Sequence, residues 1–271
     1  MSSTRSILIT GGGSGIGLEM ARLLASREQS LILVGRDAAR LQAAANELRL
    51  THGTEVHVHS IDLSEPGAAQ RMFEHTQEHG FLVDTLINNA GFGIVDAHVD
   101  IEPAQIYRML QLNVVAVAEL CRHYGELMKQ RRAGRILNIA STAAFQPTPY
   151  FAAYGASKAF VLNFSEALAK EMEDYGVSVS CLAPGPTDTA FFNNLDPQRI
   201  DEGHFFGKKG RGDPRMVAQA GIDLMVRGGL TQVVGAANKF MVFSNRFAPR
   251  AMVAALSKRM LRPSPIHSKV T

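Results

Sequence analysis

The stretch SILITGGGSGIGLEMARLLASRE, residues 6–28, decides the fold. Its first five residues form a short apolar run. Five glycines then fall within the eight residues TGGGSGIG, 10–17, and a pattern with helical spacing follows. A strand that ends in a glycine-rich turn and passes into a helix has a specific physical use. The glycines let the main chain approach a pyrophosphate, and the helix N-terminus favours its negative charge. A merely structural turn does not explain why the glycines cluster at the C-terminal end of the strand, where ligands bind in open α/β sheets.

Working outward, the same unit recurs. LILVG, 31–35, reads as a strand and DAARLQAAANELRL, 37–50, as a helix. EVHVHSID, 55–62, is a strand, GAAQRMFEHTQEHG, 67–80, a helix, and DTLINNAG, 84–91, a strand ending in a turn. A long helix is expected over 103–131, opening at Pro103, a favoured first-turn position. RILNIAS, 135–141, and VSVSCLAP, 177–184, are strands around a helix over 154–174. Alternation of this kind argues for an α/β, doubly wound parallel sheet of Rossmann-like form. Runs such as LILV suit strands covered on both faces. Residues 213–235 add a capped helix and a short final strand, so 1–235 is expected to be one domain for dinucleotide binding and catalysis. Within it, the glycine-rich, charged segment 186–212 reads as a mobile substrate lid. Residues 236–271 form a basic helical extension, expected as two short helices split at Pro249.

The chain has 271 residues, 46% of them hydrophobic, which suits one α/β domain with an extension. Cys121 and Cys181 lie in apolar runs and read as free, buried thiols of a reducing compartment. No signal-peptide pattern opens the sequence and no apolar run is long enough for a bilayer, so a cytoplasmic setting is expected. A net charge of +3 is too low to argue nucleic-acid binding. The charge is unevenly placed, however. Residues 1–223 hold 20 basic against 25 acidic groups, and eight basic residues with no acidic one follow. His57 and His59 alternate on a predicted strand; with no third ligand nearby in sequence, no metal site is read there.

YFAAYGASKAF, 150–160, carries the chemistry. Residues four apart share a helix face, so Lys158 sits beside Tyr154. A nearby ammonium favours phenolate, which would let Tyr154 exchange a proton with a carbonyl or hydroxyl oxygen. Spacing alone leaves Tyr150 open as well. Ser141 ends a strand at the sheet edge where sites form, and its hydroxyl can hold a substrate oxygen; Thr142 is the adjacent alternative. Asn113 is polar within an apolar helical stretch, which reads equally as a satisfied core amide.

Gly11, Gly15 and Gly17 (G-x-x-x-G-x-G), NNAG at 88–91, Ser141, YGASK at 154–158 and PGPTDT at 184–189 occur in order, and over about residues 5–190 the chain resembles the short-chain dehydrogenase/reductase family. The resemblance implies catalysis by Asn113, Ser141, Tyr154 and Lys158. Asn113 would order a water linking Lys158 to solvent, and Lys158 would also hold the nicotinamide ribose. Cofactor binding would fall to Gly11, Ser14, Gly15, Ile16 and Gly17, to Asp62 (which would read the adenine amino group) and Leu63, and to Asn89, Ala90 and Gly91 on the adenosine side. Pro184, Gly185, Thr187 and Thr189 would fix the nicotinamide amide.

NAD-preferring enzymes place an acid at the end of the second strand, but Gly35 and Arg36 stand here. Arg36 can pair with a 2′-phosphate, so NADP is expected, with NAD as the alternative and Asp37 as a competitor for the arginine. Phe92, Phe145, Tyr150, Phe151, Phe191 and Phe192 flank the site in sequence and suggest a small hydrophobic ketone, aldehyde or steroid-like substrate. An acyl-chain ketone reductase and a non-catalytic cofactor-binding regulator are the competing readings. A homodimer or homotetramer is expected through the two long helices. In the tail, Met252, Val253, Leu256 and Met260 form an apolar stripe beside Arg250, Lys258, Arg259 and Arg262, which either packs on the body or makes weak contact with an anionic membrane surface.

Overall fold

A computed structural model describes residues 5–26, 28–191 and 211–263. Among them, β1 (Arg5–Thr10), β2 (Ser30–Gly35), β3 (Val56–Ser60), β4 (Leu82–Asn88), β5 (Gly134–Ile139), β6 (Val177–Ala183) and β7 (Thr231–Val233) form one sheet. The strand order is β3-β2-β1-β4-β5-β6-β7, and every pairing is parallel. The order reverses between β1 and β4, and that reversal opens the crevice in which ligands of doubly wound sheets lie.

Parallel neighbours need crossovers, and the helices supply them. They are α1 (Gly15–Leu24), α2 (Ala38–His52), α3 (Ala68–Glu78), α4 (Pro103–Leu110), α5 (Ala116–Arg131), α6 (Ala152–Glu173), α7 (Pro214–Val226), α8 (Ala236–Ser244) and α9 (Arg250–Leu261). The period-two rule of strands sorts the core into two layers. Leu8 and Ile32 point to one face, where they meet Met72 of α3, Tyr124 of α5 and Val161 of α6. Ile7, Ile9, Leu31 and Leu33 point to the other, against Met20 of α1, Leu41 of α2 and Ile222 of α7. Truncating a fully buried leucine such as Leu8 to alanine would cost ~2–5 kcal/mol.

The helix expected over 103–131 is interrupted. Between α4 and α5, residues Gln111–Val115 form a π-turn with Asn113 at its centre. Such wide turns inside helices recur at functional sites. Cys121 and Cys181 are free and buried, and burial pushes both thiols up to about 12, which leaves them unreactive.

Residues 192–210, most of the expected lid, lie outside the described residues, as does Phe192. The ends that flank them are tied together. Thr187 bridges Gly212, Asp188 N–H donates to the Gly212 carbonyl at 2.9 Å, and Gly212 N–H donates to that of Pro186 at 2.8 Å.

Candidate active site

A cavity of about 490 Å³ opens at the C-terminal ends of the strands. Its floor begins at the glycine-rich turn. Gly11 and Gly15 have φ of +68° and +54°, conformations that a side chain resists. Gly17 is needed for close approach instead: a Cβ there would lie 2.5 Å from Asn89 Nδ2. Asn89 Nδ2 donates to the carbonyls of Thr10 (3.0 Å) and Gly11 (3.4 Å). Thr10 Oγ1 accepts from the N–H groups of Asn89 and Ala90, both at 3.0 Å. The turns after β1 and β4 are therefore stapled to each other across the switch point. Gly17 does not line the cavity, whereas Asn89 does, with its amide nitrogen bonded to the turn. Ser14, the N-cap of α1, makes no side-chain capping bond, so the helix opens on the cavity with its first N–H groups uncapped by a side chain. Gly11, Gly15 and Ile16 line the cavity beside it.

At the end of β2, Arg36 and Arg40 both reach the cavity. Asp37 caps α2, accepting from Arg40 N–H at 3.0 Å, and pairs with Arg40 Nε at 3.1 Å. The carboxylate that might have competed for Arg36 is thus held by its own helix. Arg40 was not singled out in the sequence, although it lies one helical turn beyond Arg36. After β3, Asp62 and Leu63 line the cavity. Asp62 Oδ1 accepts from the Ser64 N–H (2.9 Å) and hydroxyl (2.7 Å), and Oδ2 from Arg108 Nη2 (2.7 Å). Burial opposes its ionisation, but these donors outweigh burial and hold the carboxyl below its ordinary value. An uncapped helix N-terminus and two guanidinium groups as donors, with an oriented carboxylate as acceptor, form a set that fits a phosphorylated dinucleotide.

The reactive side chains come from α6, the strand beside it and the π-turn. Tyr154 and Lys158 lie one turn apart on α6 and are only 8% and 5% exposed. Lys158 Nζ donates to the Ile139 carbonyl at 2.8 Å and lies 5.8 Å from the centre of the Tyr154 ring. Ser141, just beyond β5, accepts from Ala143 N–H at 3.1 Å and lies near enough to Tyr154 to favour its phenolate. Thr142 also lines the cavity, and its N–H anchors the Pro184 carbonyl at 2.9 Å. Asn113 is buried behind Gly91 and Phe92. It accepts from Phe92 N–H at 3.2 Å and donates to the Phe92 carbonyl at 2.9 Å and to Ser157 Oγ at 3.2 Å. A Cβ on Gly91 would lie 3.0 Å from Asn113 Oδ1 and 3.3 Å from Lys158 Nζ, so both groups converge on that glycine.

Contrary to the expectation from helix spacing, Lys158 does not draw the tyrosine down: burial pushes Tyr154 up to about 12, with the nearby Ser141 hydroxyl working the other way. The ring is stacked on Phe151 at 4.1 Å and lies 5.6 Å from Phe191, so a phenolate would be poorly solvated. Lys158 is weakened too. Burial lowers it to about 8, partly opposed by Cys181, and its ammonium is bonded to a main-chain carbonyl rather than aimed at the phenol.

Pro184, Gly185, Thr187 and Thr189 line the opposite wall. The aromatic set divides. Phe92, Phe151 and Phe191 line the cavity, whereas Phe145 packs into the core beside α6. Tyr150 does not line it either; it sits in a turn at φ +64°, its carbonyl accepting from Asp96 N–H. Met260, from the apolar stripe expected in the tail, reaches the cavity together with Met241 and Leu261, which sequence reasoning had not singled out. His57 and His59 lie near histidines of α3 and its C-terminal end: the His59 and His75 ring centres are 3.9 Å apart and those of His75 and His79 4.1 Å apart, both pairs tilted. Among the described residues no group of three or more His, Cys, Asp or Glu side chains is arranged to hold a metal ion.

This Rossmann-like sheet, with a dinucleotide cradle and a Ser-Tyr-Lys set in one cavity, is the architecture of a nucleotide-dependent dehydrogenase. Residues 5–200 match the short chain dehydrogenase family, and the chain belongs to it. A curated relative is the 17-beta-hydroxysteroid dehydrogenase type 3 of Mus musculus, 32% identical over 202 residues, which are 72% of this chain and 65% of that protein. The chain thus spans under two thirds of that relative's length. Among solved structures, a short-chain dehydrogenase from Sphingobium yanoikuyae in complex with NADPH superposes with a TM-score of 0.78 at 28% identity, covering 90% of this chain and 93% of its own. A structure described for 7beta-hydroxysteroid dehydrogenase stereoselectivity gives a TM-score of 0.82 at 26% identity, covering 93% and 96%.

Proposed function

We propose that this chain interconverts a carbonyl and an alcohol with NADP(H), acting on a bulky apolar ketone or aldehyde. The observation that carries the reading is the meeting of Ser141, Tyr154 and Lys158 in the same cavity as the glycine-rich turn. When bound, the nicotinamide would supply the hydride equivalent to the carbonyl carbon. Ser141 holds the carbonyl oxygen, and Tyr154 delivers the proton to it. A phenol held at about 12 stays protonated at neutral pH, so the proton needed for reduction is in place on it. Lys158, charged below about 8, stabilises the negative charge that develops on the phenol oxygen and holds the ribose. Asn113, beside Gly91 and facing Lys158, completes the proton path through a water.

The preference for NADP rests on Arg36 and Arg40 at the cavity wall, with Asp37 committed to α2. The NADPH complex of the Sphingobium relative supports it. The apolar substrate rests on Phe92, Phe151, Phe191, Met241, Met260 and Leu261, and two of the proteins this chain resembles are hydroxysteroid dehydrogenases by name. Tyr107, Leu110 and Val115 along α4 and the π-turn, and Phe160 on α6, are exposed apolar side chains, which supports self-association through these helices. Free buried thiols support a reducing, cytoplasmic setting. Oxidation of NADPH followed with a panel of bulky ketones, aldehydes and short polyhydroxylated carbonyls tests the proposal. Turnover is expected with the bulky apolar members; a preference for the polyhydroxylated ones would refute the substrate class.

A further inference from the structure

The tail helices α8 and α9 contribute to the cavity and also expose an apolar surface. On α9 the face that packs inward is Val253, Ser257 and Leu261. One residue round the helix, Met252, Leu256 and Met260 repeat at the same spacing and stay exposed, Met252 at 59% and Leu256 at 60%. The preceding segment exposes Phe240, Phe243 and Phe247, the last at 76%. Six of the fifteen large hydrophobic side chains exposed among the described residues fall in this one stretch. Concentration on that scale marks an interaction surface rather than scattered exposure.

The charge on the same stretch says what it meets. Lys239, Arg246, Arg250, Lys258, Arg259 and Arg262 lie on or beside these helices, and no Asp or Glu follows Asp223 in the sequence. None of the six cations makes an ion pair among the described residues. Three cations share a second concavity: Arg227, Lys239 and Arg246 line it with Phe243 and without any carboxylate. Cations around a pocket, with aromatic and aliphatic side chains beside it, match the layered chemistry of an anionic membrane surface. The phosphate headgroup takes the guanidinium and ammonium groups, and the acyl region takes the rings.

We infer that α8 and α9 dock this protein on anionic lipid, with headgroups held at Arg227, Lys239 and Arg246. The dock adjoins the active site. Met241 of α8 and Met260 of α9 line the reaction cavity, and Asn245 Nδ2 donates to Gln146 Oε1, itself a lining residue, at 2.7 Å. An apolar substrate dissolved in the bilayer reaches the cavity along this rim; that last step rests on the apolar-substrate reading above, whereas docking does not.

The full chain is sedimented with phosphatidylcholine vesicles, with and without phosphatidylserine, at low and high salt. Binding is expected only with phosphatidylserine and is expected to fall at high salt. Lys239→Glu with Arg246→Glu weakens it by at least roughly 25-fold, on the basis of roughly fivefold per cation. Phe247→Ser with Leu256→Ser abolishes it, and both pairs are exposed enough to leave folding intact. All variants keep wild-type turnover of a water-soluble ketone, while only the wild type gains a lower KM for a vesicle-dissolved one. No binding to phosphatidylserine vesicles at low salt overturns the inference. So does a solution mass that falls to the monomer in Phe247→Ser/Leu256→Ser, which would assign the face to a second copy. A chain that binds vesicles but turns over no carbonyl leaves docking standing and sinks the catalytic reading alone.

Discussion

Replacing Lys158 by methionine should destroy activity and stabilise the fold. Its pKa falls from an ordinary 10.5 to about 8 because the ammonium is buried, with the Ile139 carbonyl at 2.8 Å as its hydrogen-bond acceptor. At ~1.4 kcal/mol per pH unit, holding that charge inside the protein costs about 3 kcal/mol. The sign follows from which state binds the proton. Between about pH 8 and 10.5 the unfolded chain keeps the lysine protonated while the folded chain does not, so wild-type stability rises with pH across that window. Below about pH 8 the full cost is present. Methionine has a similar length and no charge to bury. It forfeits the hydrogen bond to Ile139, worth ~1 kcal/mol for a neutral donor. The net gain near neutral pH is about 2 kcal/mol, or ~4–8 °C in Tm for a chain of this size. Thermal and urea unfolding of both proteins near neutral pH and again near pH 10 measures it. The gain should shrink at the higher pH, while ketone reduction is lost at both. A Lys158→Met protein that is less stable than the wild type by the same amount at both pH values would refute this reasoning.

Arg36→Ala and Arg40→Ala should each raise the Kd for NADPH far more than that for NADH, since only NADPH carries the 2′-phosphate; equal losses in a fluorescence titration would remove the argument for NADP. Ketone reduction should be flat across neutral pH and decline as Lys158 loses its proton above about 8, whereas alcohol oxidation, which needs Tyr154 to accept a proton, should rise with pH. Parallel profiles in both directions would contradict those assignments. Light scattering at micromolar concentration should report a dimer or tetramer, and a monomeric mass would count against pairing through α4, α5 and α6.

The sequence carried the sheet well, because each strand is a short apolar run closed by a glycine or polar turn and each crossover has helical spacing. That Gly11, Ser141, Tyr154 and Lys158 would meet could be read because local spacing places each at the C-terminal edge of the sheet, and they line one cavity. What escaped depends on direction or on partners far away in the chain. Asp37 looked like a rival for Arg36 until its bond to the α2 N-terminus was seen. Phe145 and Tyr150 neighbour the site in sequence, but adjacency does not fix where a ring points. The Asn113 π-turn has no mark in the apolar periodicity around it. On α9 the inward face includes Ser257, so the stripe that packs looked polar, while the stripe that looked apolar is mainly the exposed one, only Val253 of it being buried. The tyrosine's environment was misjudged for a similar reason: the lysine one turn away was visible, but the rings of Phe151 and Phe191 around the phenol were not.

The most direct test of the central claim is Tyr154→Phe, which removes one hydroxyl and leaves the stack on Phe151 in place. Single-turnover and steady-state oxidation of NADPH with a bulky ketone should slow by ~10²–10⁴-fold, the range for loss of a positioned acid. The Kd for NADPH, measured by fluorescence on the same protein, should stay at the wild-type value. Near-full turnover in the phenylalanine variant would contradict the assignment of Tyr154 as the proton donor.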